Sequence, residues 1–195
     1  GWADAAVIVP WNVYLYSGDR RVLEENYTMM RQWVAFYERK ADNFIVDQYG
    51  FGDWLQPYAK NNRSDTPMDL IATAYFGHCS DLMRKIAQEL GRDADAQRYA
   101  EQHANIRRAF SEKFFDTSGQ LTTSIATQTA YLMALGFDLL QPELRDGAVE
   151  NLVELIEAAD GHLRTGFLGT PLLAPVLDQA GHPELAYKLL FKESY

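Results

Sequence analysis

Two pairs of residues in this sequence could take part in chemistry: Trp2 with Asp4, and Asp53 with Trp54. The C–H face of a pyranose ring packs on an indole, while a carboxylate accepts hydrogen bonds from adjacent hydroxyls, so this composition is typical of sugar sites. The second pair lies in FGDWLQP, between glycines and the polar run PYAKNNRSDT, which predicts a long loop. Long loops in compact domains often carry binding residues. We interpret both pairs as candidate sugar-binding residues.

Each of these residues also has a structural interpretation. Asp4 could cap a helix, and Asp53 could stabilise a turn. Trp2 and Trp11 could be core residues, and we expect this of Trp33, which lies on the apolar stripe of an amphipathic helix. The sequence alone leaves these alternatives open.

Other catalytic chemistries lack their motifs. The sequence contains no glycine-rich phosphate loop, no H-E-x-x-H and no G-x-S-x-G. Its four histidines are scattered without metal-ligand spacing and are expected in core, cap or turn positions: His78, His103, His162 and His182. The single cysteine, Cys79, is expected to be a buried structural thiol because no second thiol accompanies it.

Composition bounds the class of protein and its partners. The 195 residues are 47% hydrophobic and 23% charged, which suffices for one sizeable core. The net charge of −9 and the pI near 4.9 argue against nucleic acid or an anionic membrane surface as a partner. No apolar run reaches membrane-spanning length and no signal-peptide pattern begins the sequence. Compartment and oligomeric state stay open.

The elements that would position these residues are helices. Turn signals divide the sequence into eight helical segments, and almost nothing alternates with the period of two that a strand requires, so the predicted fold class is all-α. An irregular stretch is expected over 42–65. The predicted helices cover 4–16, 19–41 with Asp19 as cap, 66–90 with Thr66 as N-cap, 93 to the turn at 116–119, 122–136, 142–159, 170–181, and a last helix from Pro183.

Helices poor in charge alternate along the chain with amphipathic helices. The first, third, fifth and seventh are expected to be covered on every side, and the others to show a polar face to water. Two concentric layers explain this alternation, which predicts a toroidal α/α barrel, present here as a partial ring of about eight helices. A solenoid of stacked hairpins is the competing architecture, but the unequal gaps between inner helices give no repeat period.

Five segments carry, in this order, a resemblance to a known family: GWADAAVIVPW, FGDWLQP, DLIATAYF, TQTAYLMALG and TGFLGTPLLAPVL. Together they resemble the catalytic domain of bacterial-type α-L-rhamnosidases, an inverting glycoside hydrolase family that folds as an (α/α)6 barrel. The likeness extends from Gly1 to Tyr195. It implies that residues 1–195 form a single domain, the central portion of such a barrel.

The resemblance implies a reaction, the hydrolysis of terminal α-L-rhamnose from glycosides or polysaccharides with inversion and without a cofactor. An inverting glycosidase needs one carboxyl group as general acid and a second as general base. The residues that fill these roles in the family are expected outside this chain. No catalytic residue is therefore assigned within it, and the chain by itself is expected to be inactive.

The resemblance also assigns binding residues by position. Trp2, Asp4 and Trp11 look like the wall and the hydroxyl ligands of the family's sugar site, and Asp53 with Trp54 look like the loop that stacks on rhamnose. The segment TGFLGTP, residues 165–171, is expected near the same site. Two other functions stay open: a non-catalytic helical-repeat interaction module, and another glycan-degrading enzyme of the α/α barrel fold.

Overall fold

Eight α-helices make up most of the part of the chain that the structure describes. The computed structural model describes residues 1–47, 50–60 and 64–193. Within these ranges no helix combines the length and the apolarity needed to cross a bilayer. The helices are α1 (Ala5–Ser17), α2 (Arg21–Lys40), α3 (Met68–Glu89), α4 (Asp93–Phe114), α5 (Gln128–Gly136), α6 (Arg145–Ala158), α7 (Thr170–Gln179) and α8 (Pro183–Leu190), with a 3-10 turn at Pro142–Leu144 before α6.

The helices pack as four consecutive hairpins in two layers. In the inner layer α1 packs on α3, α3 on α5, and α5 on α7, while α2, α4, α6 and α8 each pack on the helix that precedes them. Most of α3 is buried, and so is every residue of α5 from Gln128 to Leu135. The all-α fold and the two-layer arrangement of a partial α/α barrel are thereby confirmed.

Four predicted helix starts are wrong by two to six residues. The sixth helix begins at Arg145 rather than 142, because the 3-10 turn Pro142–Leu144 precedes it. The third helix begins at Met68 with Pro67 at its N-cap position, so Thr66 lies one residue too early to cap it. The Thr66 hydroxyl instead lies 2.7 Å from that of Thr127. The fifth helix begins at Gln128 rather than 122, since the hydroxyl of Thr127 accepts the N–H of Ala130. In the second helix the Asp19 carboxylate accepts the N–H of Arg21, but the helix begins only there.

A short hairpin lies in the stretch expected to be irregular. Strands β1 (Ala41–Asp42) and β2 (Ile45–Val46) pair antiparallel across Asn43 and Phe44, which both have positive φ, the backbone of a two-residue hairpin turn. The N–H of Val46 donates to the Thr73 hydroxyl, 3.0 Å away, and fixes the hairpin to α3. Strands of two residues are too short to show a sequence period. Residues 48–49 and 61–63 of the predicted stretch lie outside the described residues.

Helix α1 is less covered than its sequence predicts. Val7 and Pro10 are its buried residues, whereas Val9, Val13 and Leu15 are each about half exposed. The expectation that both faces of this helix are buried is therefore not met by the described residues. Its inner face packs on α2 and α3.

Candidate functional site

The segments that precede the four inner helices meet at one end of the layers. Asp53, in the loop before α3, bonds to Thr129 at the start of α5 and to the loop before α7. Trp2, just before α1, lies against rings of both loops. Thr66 and Thr127 join the segments that lead into α3 and α5. The two-layer fold thus brings residues from four distant parts of the sequence to a common mouth.

Four aromatic rings gather at this mouth, and we call them the aromatic cluster: Trp2, Phe51, Trp54 and Phe167. The rings of Trp54 and Phe167 stack with centroids 5.5 Å apart, and Trp2 lies 6.0 Å from Trp54 and 6.1 Å from Phe167. Phe51 meets Trp2 edge-on at 6.3 Å. The four side chains remain between 40% and 68% exposed. A contiguous group of half-exposed aromatic rings is typical of surfaces that bind a ligand or another part of a protein.

The carboxylate of Asp53 is fully buried and ties the loop of Trp54 to the loop of Phe167. One oxygen accepts the Thr129 hydroxyl at 2.5 Å and the N–H of Gly166 at 2.7 Å, and the other accepts the N–H of Leu168 at 2.8 Å. The N–H of Gly169 makes a longer fourth bond of 3.3 Å. We call this arrangement the Asp53 clamp. It occupies both carboxylate oxygens, so Asp53 positions the loops and does not present a free oxygen at the mouth.

Backbone contacts complete the junction of the two loops. The N–H of Phe167 donates to the carbonyl oxygen of Trp54 at 2.9 Å. Gly166 passes so close to the carbonyl groups of Asp53 and Trp54 that a Cβ there would clash with both oxygens. The glycine is therefore required by the close approach of the two backbones. Trp54 and Phe167 stack because their main chains are bonded directly to one another.

Asp4 is the second buried carboxylate near the mouth. Its Oδ1 accepts hydrogen bonds from the Trp33 indole N–H and the Tyr37 hydroxyl, both at 2.9 Å, and from the Cys79 thiol at 3.3 Å. Its Oδ2 lies 2.7 Å from the nitrogen of Gly1 and has no other partner among the described residues. Asp4 also lines a cavity of about 250 Å³ with Trp2 and Phe51.

Burial and charge shift the pKa values of the groups around Asp4. Burial raises the pKa of Asp4, and the hydrogen bonds from Trp33 and Tyr37 lower it. Burial and the Asp4 carboxylate raise the pKa values of Tyr37 and Cys79. Cys79 is fully buried and bonded to a carboxylate, so the prediction of a structural thiol is confirmed.

The structure brings together four of the five residues assigned from the sequence. Trp2 and Trp54 are in the aromatic cluster, Asp53 lies directly beneath it, and Asp4 is within the same mouth. Trp11 stands apart, because it lies seven residues after Asp4, about 10 Å along the helix axis, and packs on Tyr14.

Sequence reasoning missed several participants. Phe51, Phe167 and Thr129 gave no signal beyond their place in the quoted segments, and Trp33 was expected in the core, although it donates to Asp4. An aromatic residue on a helical stripe has the same pattern whether its polar atom is used or not. In the described part of the chain no group of three His, Cys, Asp or Glu side chains could hold a metal ion.

Comparisons with known proteins agree on one family. The profile of the bacterial alpha-L-rhamnosidase 6 hairpin glycosidase domain matches residues 1–195. An α-L-rhamnosidase of Alteromonas sp. is 47% identical over 200 residues, covering all of this chain and 22% of that protein. One of Streptomyces avermitilis is 42% identical over 195 residues, covering all of this chain and 18% of that protein. The chain spans about a fifth of the length of these curated relatives.

Solved structures give the same result. The crystal structure of the Streptomyces avermitilis α-L-rhamnosidase complexed with L-rhamnose aligns with a TM-score of 0.91 and 41% identity, covering 100% of this chain and 18% of that one. The structure of an α-L-rhamnosidase from Dictyoglumus thermophilum aligns with a TM-score of 0.90 and 33% identity, covering 100% of this chain and 22% of that one. The similarity thus includes every helix described above.

Proposed function

The chain belongs to the family of bacterial α-L-rhamnosidase six-hairpin glycosidase domains, and on that premise we propose that it forms part of the sugar site of an enzyme removing terminal α-L-rhamnose. The reaction is hydrolysis with inversion at the anomeric carbon, on glycosides or polysaccharides. Residues 1–195 are proposed to be a single domain, the central portion of the barrel. The α-L-rhamnosidases of Alteromonas sp. and Streptomyces avermitilis support the proposal, because each is similar to this chain over the whole length of the chain.

The aromatic cluster is the observation that carries this proposal. Rhamnose bears a methyl group at C6 and apolar C–H faces. Moving these groups from water onto an aromatic ring lowers the free energy. Trp54 uses one face of its ring to stack on Phe167, and the residue is still 51% exposed. We assign the contact with sugar to Trp2 and Trp54, the two largest rings of the cluster.

The two aspartates have different proposed roles. Asp53 is a positioning residue, because its oxygens already hold Thr129 and the loop before α7. Asp4 has one oxygen bonded only to Gly1 and lines a cavity beside Trp2, so it is the better candidate to accept a sugar hydroxyl. Trp11 as a sugar ligand stays a prediction.

The catalytic acid and base are proposed to come from other parts of the enzyme. An inverting glycosidase places these groups about 6.5–9.5 Å apart on either side of the scissile bond, with room for a water molecule. Asp4 and Asp53 are both fully buried and already bonded within the protein. Neither has the open, water-facing position that an acid or a base requires.

Substitution of Trp54 in the whole enzyme that contains this chain tests the proposal. Trp54→Ala is expected to lower kcat/KM on a chromogenic α-L-rhamnoside at least tenfold, equivalent to about 1.4 kcal/mol of transition-state binding. Tyr16→Ala is the matched control, since Tyr16 is an aromatic residue at the end of α1, 94% exposed and outside the cluster. Proton NMR of the first product should show β-L-rhamnose.

Two results would contradict the proposal. One is the absence of activity on any α-L-rhamnoside in the unmodified enzyme, and the other is equal kinetics for Trp54→Ala and Tyr16→Ala. A first product with the α configuration would leave the substrate correct and overturn the inverting mechanism.

A further inference from the structure

A second cavity opens beside the aromatic cluster, and we call it the outer pocket. It has a volume of about 220 Å³, and its walls come from the loops that precede α3, α5 and α7, from the start of α5 and from Leu155 of α6. Arg164, Tyr58, Gln56 and Asp65 supply polar groups, while Leu155 and Ile125 supply an apolar side. The Asp65 carboxylate accepts the N–H of Lys60. A guanidinium, an amide, a phenol and aliphatic carbon in one concavity is a composition suited to sugar hydroxyls and C–H groups.

Arg164 is held in place and has free donors. Its guanidinium carbon lies 3.9 Å from the centre of the Tyr58 ring, and its backbone N–H donates to Gln128 Oε1 at 2.8 Å. Within the described residues the guanidinium is paired with no carboxylate, unlike Arg98, Arg107 and Arg145. A guanidinium carries five N–H donors in a planar fork, and stacking on a ring fixes the plane of that fork. Its donors therefore remain available to a ligand.

The loop that carries Tyr58 has an unusual backbone. Leu55 and Tyr58 have φ values of 61° and 58°, a left-handed conformation that costs free energy in residues other than glycine. Tyr58 is 70% exposed, so burial of its ring does not explain the conformation. Such strain is concentrated at sites where it directs a side chain toward a ligand.

The outer pocket is adjacent to the aromatic cluster through the chain itself. Tyr58 follows Trp54 by four positions, and Arg164 precedes Phe167 by three. Since an extended chain spans at most about 3.5 Å per residue, the pocket begins within roughly 10–14 Å of the cluster. That distance corresponds to the next one or two sugar residues of a glycan.

We propose that the outer pocket binds a sugar residue of the leaving group, the part of the glycan to which the terminal rhamnose is attached. The inference rests on the proposed function, because in an enzyme that removes terminal rhamnose the substrate continues only on the leaving-group side. Arg164 donates to hydroxyl oxygens of that residue, and Leu155 packs against its C–H groups. The pocket determines preference for long substrates and takes no part in bond cleavage.

Substrate length separates this pocket from the rhamnose site. In the whole enzyme, kcat and KM are measured on an aryl α-L-rhamnoside and on neutral oligosaccharides of two to four sugars that end in α-L-rhamnose. Arg164→Ala is expected to raise KM for the oligosaccharides five- to tenfold with kcat unchanged, and to change kcat/KM for the aryl rhamnoside less than twofold. Arg108→Ala, on the exposed side of α4, is the matched control.

Tyr58→Gly provides a second variant, since glycine accepts the left-handed backbone and removes the ring under Arg164. It should reproduce the length-dependent rise in KM. Equal losses on short and long substrates, or no loss on any length in both variants, would overturn the outer pocket while leaving the rhamnosidase intact. An unmodified enzyme that cleaves none of these substrates would instead overturn the proposed function.

Discussion

Replacement of Asp53 by asparagine tests the Asp53 clamp with almost no change in shape. The carboxylate accepts short bonds from Thr129, Gly166 and Leu168 and a longer one from Gly169. An asparagine keeps one oxygen and replaces the other by an NH2 group, which accepts no hydrogen bond. Whichever way the amide is turned, at least one backbone N–H of the 166–169 loop then faces another donor.

The expected cost follows from the number of bonds lost. A buried donor without an acceptor costs about 1–3 kcal/mol, and a hydrogen bond to a charged acceptor contributes about 1.5–3 kcal/mol. Because the effects overlap, we expect Asp53→Asn to lower the free energy of unfolding by about 2–4 kcal/mol. The loop before α7 should detach from the loop before α3, and Trp54 should lose its stacking on Phe167.

Three measurements on the whole enzyme check this expectation. Denaturant unfolding gives the loss of stability, acrylamide quenching of tryptophan fluorescence gives the exposure of the cluster, and kinetics on an aryl α-L-rhamnoside gives the loss of activity. Asp178→Asn, at an exposed position on α7, is the control for removing one negative charge. Thr129→Val removes the hydroxyl of the clamp and should give the same three changes at smaller size, whereas Thr129→Ser should retain function.

One result would refute the reasoning. That result is an Asp53→Asn variant with the same free energy of unfolding and the same fluorescence quenching as the unmodified enzyme that nonetheless binds substrate much more weakly. In that case Asp53 contacts sugar directly and the clamp is incidental. If stability, quenching and kcat/KM change together, the carboxylate acts through the loops that it holds.

Two further predictions concern single side chains. Gly166→Ala places a methyl group against the carbonyl oxygens of Asp53 and Trp54, so it should lower the free energy of unfolding by about 1–3 kcal/mol and reduce kcat/KM; unchanged melting and kinetics would contradict the close approach. Burial lowers the pKa of His78, which stacks on Phe137, from its ordinary value to about 4. The His78 imidazole therefore takes up a proton near pH 6.5 in the unfolded chain but stays neutral at that pH in the folded chain. Stability should therefore fall as the pH drops from 6.5 toward 4, by about 2 kcal/mol between pH 7 and pH 5, and His78→Phe should remove that part of the loss in denaturant titrations.

The layers of the fold could be predicted because they depend on local pattern. Charge-poor segments such as α5 can be stable only when covered on every side, and amphipathic segments such as α4 need one wet face. Helix starts were less accurate, because a contact such as that between Thr66 and Thr127 joins residues 61 positions apart. The start of α5 depends on this tertiary arrangement as much as on its own sequence.

The residue types of the candidate site are visible in the sequence, but their connections are not. The structure gathers the tryptophan and aspartate pairs at one mouth of the fold, and the hydrogen bonds of Asp53 come from backbone N–H groups 113 to 116 residues away. A backbone donor leaves no mark in the sequence. The two glycines of TGFLGTP were the one local sign, since both have neighbours too close for a side chain.

The Asp53 clamp also explains how aromatic rings stay exposed at a fixed place. Apolar side chains on free loops would reduce their contact with water by collapsing onto the nearest core surface. Here the loop backbones are bonded to one another and to a buried carboxylate, so Trp54 and Phe167 cannot reach the core without breaking several hydrogen bonds. The free energy held in these bonds keeps the rings available to a ligand. Binding then removes apolar surface from water with little further ordering of the loops, and this advantage is what the Asp53→Asn variant should lose.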